Sequence, residues 1–167
     1  GINFALHFTA WRRASMQAYF MDTELRVYTA LLAVFILLAT SALYLTNTFD
    51  SLGASFRHGS FHVVSVMSTT GFTIDPFYTW PSFVPLLLIF VAFIGGCAGS
   101  TAGGMKVIRI ILLHRQALRE IRHLIHPTAV FPVKYDGRTA SVKTMGAVWG
   151  FFFLFIASFA IMTMLLT

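Results

Sequence analysis

Two short stretches hold the residues with chemistry to offer. The first is Ser68-Thr69-Thr70-Gly71-Phe72-Thr73. It supplies hydroxyls and main-chain carbonyls but no carboxylate, and Gly71 permits backbone angles that its β-branched neighbours resist. Neutral oxygens of this kind can replace the hydration shell of a monovalent cation. A hard divalent ion would call for acidic side chains instead. The second stretch is Gly95-Gly96-Cys97-Ala98-Gly99-Ser100-Thr101-Ala102-Gly103-Gly104, in which five of ten residues are glycine. It is a poor phosphate-binding loop, because Met105 separates Gly104 from Lys106 and no Ser or Thr follows. Gly95, Gly99 and Gly103 could form a close-packing helix face. Five interior glycines, however, cost a helix about 5 kcal/mol, and Ser100 and Thr101 compete for its backbone groups. A break in the helix is the favoured expectation. His58 and His62 have an i, i+4 metal-ligand spacing, but no third ligand is evident, so packing or surface exposure is expected. His114, His123 and His126 show no such spacing. No Ser/His/Asp or paired-carboxylate constellation stands out, and no enzyme is expected.

The elements that must position these stretches belong to a membrane. Hydrophobic residues make up 57% of the 167 residues and charged residues 11%. That excludes a disordered chain, a nucleic-acid-binding tail and an ordinary soluble enzyme. The net charge of +6 comes from basic residues that flank apolar runs, as membrane topology requires. The single cysteine, Cys97, excludes an internal disulfide. Val27–Leu45 and Met145–Leu166 are uncharged and long enough to cross. Pro81–Met105 is uncharged as well, but Pro81–Leu113 as one straight helix would be about 50 Å long, which again favours a break. Arg12, Arg13 and Arg26 precede the first span, and eight more Lys or Arg lie between the second and third. Both groups can be cytoplasmic only if the chain between them crosses an even number of times. The stretch 56–70, about 21 Å as a helix, is therefore expected to dip in and return. Aimed inward from outside, such a helix points its partially negative C-terminus at the membrane centre, which favours a cation there. The expected fold is an all-α integral membrane fragment: span, re-entrant pore loop, span, with a Gly-rich break in the second span.

The first motif, followed about 25 residues later by the second and by Met105-Lys106, resembles the Trk-type bacterial potassium uptake subunits of the Trk/Ktr/HKT superfamily, and most of all the TrkH family. The resemblance covers essentially the whole chain, which would be about a third of such a protein. It implies four span–pore-loop–span repeats around one path. Residues 1–23 would then end the preceding repeat and form a cytoplasmic linker, and 24–126 would form one repeat with a cytoplasmic helix extension. Residues 127–143 would be a second linker, and 144–167 the first helix of the next repeat. It further implies a K+ selectivity filter at Thr69, Thr70, Gly71, Phe72 and Thr73, with backbone oxygens of Thr70 and Gly71 on the ion. Gly95, Gly96, Gly99, Ser100, Thr101, Gly103 and Gly104 would be an intramembrane gate. K+ would be the transported ion, with no organic cofactor. The implied partners are the missing repeats of the same polypeptide, a second copy in a homodimer, a cytoplasmic nucleotide-binding regulatory subunit (TrkA-like) and the bilayer of the bacterial inner membrane.

Other features have plainer readings. Leu113–His126 is amphipathic, with Arg115, Arg119, Arg122 and His123 opposite its apolar residues. A face solvated or against anionic headgroups is expected, and a docking surface for the regulatory subunit is the alternative. Tyr44, Phe77, Tyr78 and Trp80 are expected in an outer aromatic belt, with Trp149 near the inner face. Lys106 and Arg109 are expected to snorkel to the cytoplasmic interface. Two other functions fit the same chain: a broken-helix secondary transporter of a small solute, and a structural fragment packed through Gly95, Gly99 and Gly103.

Overall fold

The computed structural model describes residues 1–126, 132–135 and 138–166. The fold is mostly helical: α1 Phe4–Arg13, α2 Gln17–Met21, α3 Thr23–Leu45, α4 Leu52–Met67, α5 Phe83–Ile94, α6 Val107–Ile125 and α7 Val142–Leu166. The strands β1 Lys134–Tyr135 and β2 Arg138–Thr139 form a small antiparallel hairpin in which Lys134 faces Thr139. The chain divides into two compact units, Gly1–Val107 and Ile108–Thr167.

In the first unit α3 packs against both α4 and α5. Small residues set the α3–α4 distance. Ala39 is fully buried, and a Cβ on Gly59 would lie 3.3 Å from the Thr40 backbone nitrogen. Leu43, Val63, Met67, Val84 and Val91 fill the space between the three helices. Local chemistry sets the helix starts. Asp22 Oδ1 accepts the Leu25 N–H at 2.7 Å, so α3 begins four residues before the expected Val27. Ser51 Oγ accepts the Ala54 N–H at 3.1 Å, so α4 covers 52–67 rather than 56–70. Both caps satisfy N–H groups that the first turn leaves open.

The second unit has a smaller core of Leu112, Val133, Met145 and Val148. The Arg109 guanidinium stacks on the Phe151 ring at 3.8 Å. The amphipathic helix begins at Val107 rather than Leu113. Within the expected linker 127–143, residues 127–131 and 136–137 lie outside the described residues, and the remainder holds the hairpin and the first turn of α7. Among the described residues, two helices are long and apolar enough to cross a membrane, Thr23–Leu45 and Lys143–Leu166.

Candidate functional site

The helix α4 stops at Met67 and the chain then runs without regular structure to Ile74. The turn is built on Ser65. Its carbonyl accepts the Thr70 N–H at 2.8 Å, and its hydroxyl donates to the Phe72 carbonyl at 2.7 Å. Ser68 Oγ lies 2.7 Å from Thr70 Oγ1. Thr69 sits at φ +54° and Gly71 at φ +80°. Glycine adopts such angles freely, but a β-branched threonine does so only where its surroundings hold it. For Thr69 that hold comes from its side chain, since Oγ1 accepts the Gly103 N–H at 2.9 Å. The two motifs, separated by 34 residues, therefore touch. Among the described residues the carbonyls of Thr69, Thr70, Gly71 and Thr73 accept no hydrogen bond. Thr69 to Thr73 are all exposed in this chain. A cleft of about 450 Å³ runs beside them, lined in part by Phe61, Val64, Ser68, Thr70 and Phe72.

The chain after Thr73 folds back on α4. Asp75 pairs with His58 Nδ1, and the buried His62 places Nε2 at 3.3 Å from the Asp75 carbonyl. His62 Nδ1 lies 2.9 Å from the His58 carbonyl. Phe49 stacks on the His58 ring at 4.3 Å, and Trp80 meets the His62 ring at 4.7 Å. One expectation changes here. Trp80 is a packed residue at 6% exposure, not a belt residue, because the His62 and Phe49 rings give it an aromatic site inside the fold. The histidines are packing residues, His58 against the Asp75 carboxylate and His62 against main-chain carbonyls, and no metal-type cluster occurs among the described residues.

The glycine tract is not helical. The neck that closes it is three main-chain bonds: Met105 N–H to Phe93 O at 2.9 Å, Lys106 N–H to Ile94 O at 3.0 Å and Val107 N–H to Gly96 O at 3.0 Å. Glycine is needed there for contact as much as for angle. A Cβ on Gly95 would lie 2.1 Å from the Gly103 carbonyl oxygen, and one on Gly104 would lie 2.8 Å from Gly95 Cα. The glycines thus let a loop close on itself, and the alternative of a helix-packing face is set aside. Residues 97–99 dock on the start of the chain and of α3. Cys97 N–H donates to Gly1 O at 2.8 Å and Phe4 N–H to Gly99 O at 3.1 Å. The buried Glu24 accepts the Ala98 N–H at 2.7 Å. Sequence reasoning missed these anchors. The one available signal was a carboxylate, Glu24, entering an apolar helix. The Lys106 ammonium donates to the Ser100 carbonyl at 3.1 Å and to that of Ala102.

The comparison with known proteins defines first a class. All 167 residues match a family model described as a cation transport protein. The relatives then give the family. A Trk system potassium uptake protein TrkH from Halomonas elongata is 45% identical over 160 residues, covering 96% of this chain and 33% of the relative. Its namesake from Escherichia coli K12 is 42% identical over 152 residues, covering 91% of this chain and 32% of the relative. The crystal structure of the potassium transporter TrkH from Vibrio parahaemolyticus superposes with a TM-score of 0.90 at 40% identity, covering 95% of this chain and 34% of that one. The chain belongs to the TrkH family, and it spans about a third of the length of these relatives.

Proposed function

We propose that this chain is part of the ion-conducting membrane subunit of a bacterial potassium uptake system. It would contribute one quarter of a K+ filter through residues 69–73 and the gate through residues 95–104. The observation that carries the reading is the row of carbonyls at Thr69, Thr70, Gly71 and Thr73 with no hydrogen bond to the described chain, beyond the C-terminal end of α4. Main-chain oxygens at membrane depth need a partner, and a desolvated K+ supplies one. Phe72 differs from its neighbours, since its carbonyl already accepts the Ser65 hydroxyl and has one lone pair left. Movement is passive, down an electrochemical gradient, with no bond made or broken. The touching of Thr69 and Gly103 supports placing the tract directly beneath the filter.

The whole protein would hold the other repeats around the same path, reside in the inner membrane, pair with a second copy and dock a TrkA-like regulatory subunit on its cytoplasmic side. The test uses the full-length parent in liposomes, comparing Rb+ with Na+ flux for wild type and Gly71→Ser. Loss of Rb+ preference is the expected result. Unchanged preference would refute the filter, and would favour a broken-helix transporter.

A further inference from the structure

Two groups of contacts hold the tract, and they differ in kind. Residues 97–99 are bound to Gly1, Phe4 and Glu24 at the base of the unit. Residues 100–103 are held by two side chains, Thr69 through Gly103 N–H and Lys106 through the carbonyls of Ser100 and Ala102. The neck fixes the backbone of Lys106 against Ile94 at 3.0 Å. Its φ of +75°, seldom adopted by an L side chain, turns the aliphatic stem back over the loop. Among the described residues the ammonium has no carboxylate partner. It is a cation bound by neutral main-chain oxygens, the same ligand set that a K+ ion takes. A monovalent cation in the path and the Lys106 ammonium would compete for the same lone pairs.

We propose that Lys106 is the positioning residue of the tract, a tethered cation that occupies the Ser100 and Ala102 carbonyls, keeps the loop compact and denies those oxygens to the passing ion. This rests on reading residues 95–104 as the gate. Opening then means withdrawal of one ammonium, with the neck and the 97–99 anchor left in place.

The experiment measures Rb+ and Na+ uptake into liposomes by the full-length parent. It compares wild type, Lys106→Met, Lys106→Gln, Lys106→Arg and a deletion of 99–103, each checked for folding by thermal unfolding. Loss of the charge-assisted bonds should raise Rb+ flux about tenfold in the Met and Gln variants. The Rb+/Na+ ratio should stay unchanged, because residues 69–73 are intact. Arg should restore low flux. Wild-type flux in the Met and Gln variants, with raised flux in the deletion, would overturn the role of Lys106 and leave the gate standing. Wild-type flux in the deletion as well would remove the gate reading and this proposal with it. Unfolding of both Met and Gln variants with Arg intact would make Lys106 a fold-holding residue only, and would also overturn the proposal.

Discussion

Gly95→Ala tests whether the tract is built on backbone contact. Gly95 has φ +69° and ψ −155°, a region nearly closed to residues with a Cβ, at a cost of about 1–3 kcal/mol. The added methyl would lie 2.1 Å from the Gly103 carbonyl oxygen. Relief requires that oxygen to retreat by at least about 1.3 Å, to an ordinary contact distance. Gly103 is also the donor to Thr69 Oγ1 at 2.9 Å, and such a retreat breaks that bond, a further loss of about 0.5–1.5 kcal/mol. The sum is about 1.5–4.5 kcal/mol. The assay is unfolding of the purified full-length parent in detergent, with Gly53→Ala as control. Gly53 lies in the first turn of α4 with nothing within 4 Å of its Cβ position, so alanine there should be neutral or stabilising by up to about 1 kcal/mol. A Gly95→Ala midpoint equal to that of wild type would refute the contact argument, because no flexible side chain is present to absorb the overlap.

Thr69→Val keeps the β-branch and removes the acceptor for Gly103 N–H. It should destabilise by about 1–2 kcal/mol and raise Rb+ flux in the same liposome assay, whereas Thr69→Ser should do neither. Glu24→Ala leaves the Ala98 N–H without its partner. A loss of about 2–3 kcal/mol is expected, visible as faster hydrogen exchange across 97–99. Gly59→Leu should separate α3 from α4, since even a Cβ lies 3.3 Å from the Thr40 backbone. The expected loss exceeds about 2 kcal/mol, and recovery of wild-type amounts of folded protein would contradict it. Changing Arg115, Arg119 and Arg122 together to Gln should weaken capture of the proposed TrkA-like regulatory subunit if that face is its dock. Unchanged capture would assign the face to solvent or lipid.

The parts legible in the sequence were those that single-residue periodicity and composition determine. The apolar run 27–45 marked α3, and the glycine density at 95–104 marked the break between α5 and α6. The helix starts shifted because Asp22 and Ser51 act as caps before the apolar pattern begins. The bonds from Lys106 to the Ser100 and Ala102 carbonyls were not legible, because snorkelling is the general rule for a lysine near a span and nothing in the sequence announces its left-handed backbone. Trp80 was misplaced because an interfacial tryptophan and one packed on His62 look alike in sequence. The pairing of Asp75 with His58 and of Glu24 with Ala98 joins residues far apart in the chain, and no local pattern announces such a contact. That Thr69 to Thr73 and the tract lie close enough for one hydrogen bond was implied by family resemblance rather than by spacing.

The docking of the tract on residues 1 and 4 uses main-chain atoms alone, the Gly1 carbonyl and the Phe4 N–H. Alanine at Phe4 would therefore pass over this contact in silence, since the substituted residue still carries the same peptide N–H, whereas a Cβ at Gly1 would lie 2.4 Å from the Tyr28 hydroxyl. Proline at position 4, which deletes the donor, or a one-residue insertion, which rotates α1 by about 100°, would register. Any mechanical input that slides this segment reaches the tract through the polypeptide backbone itself.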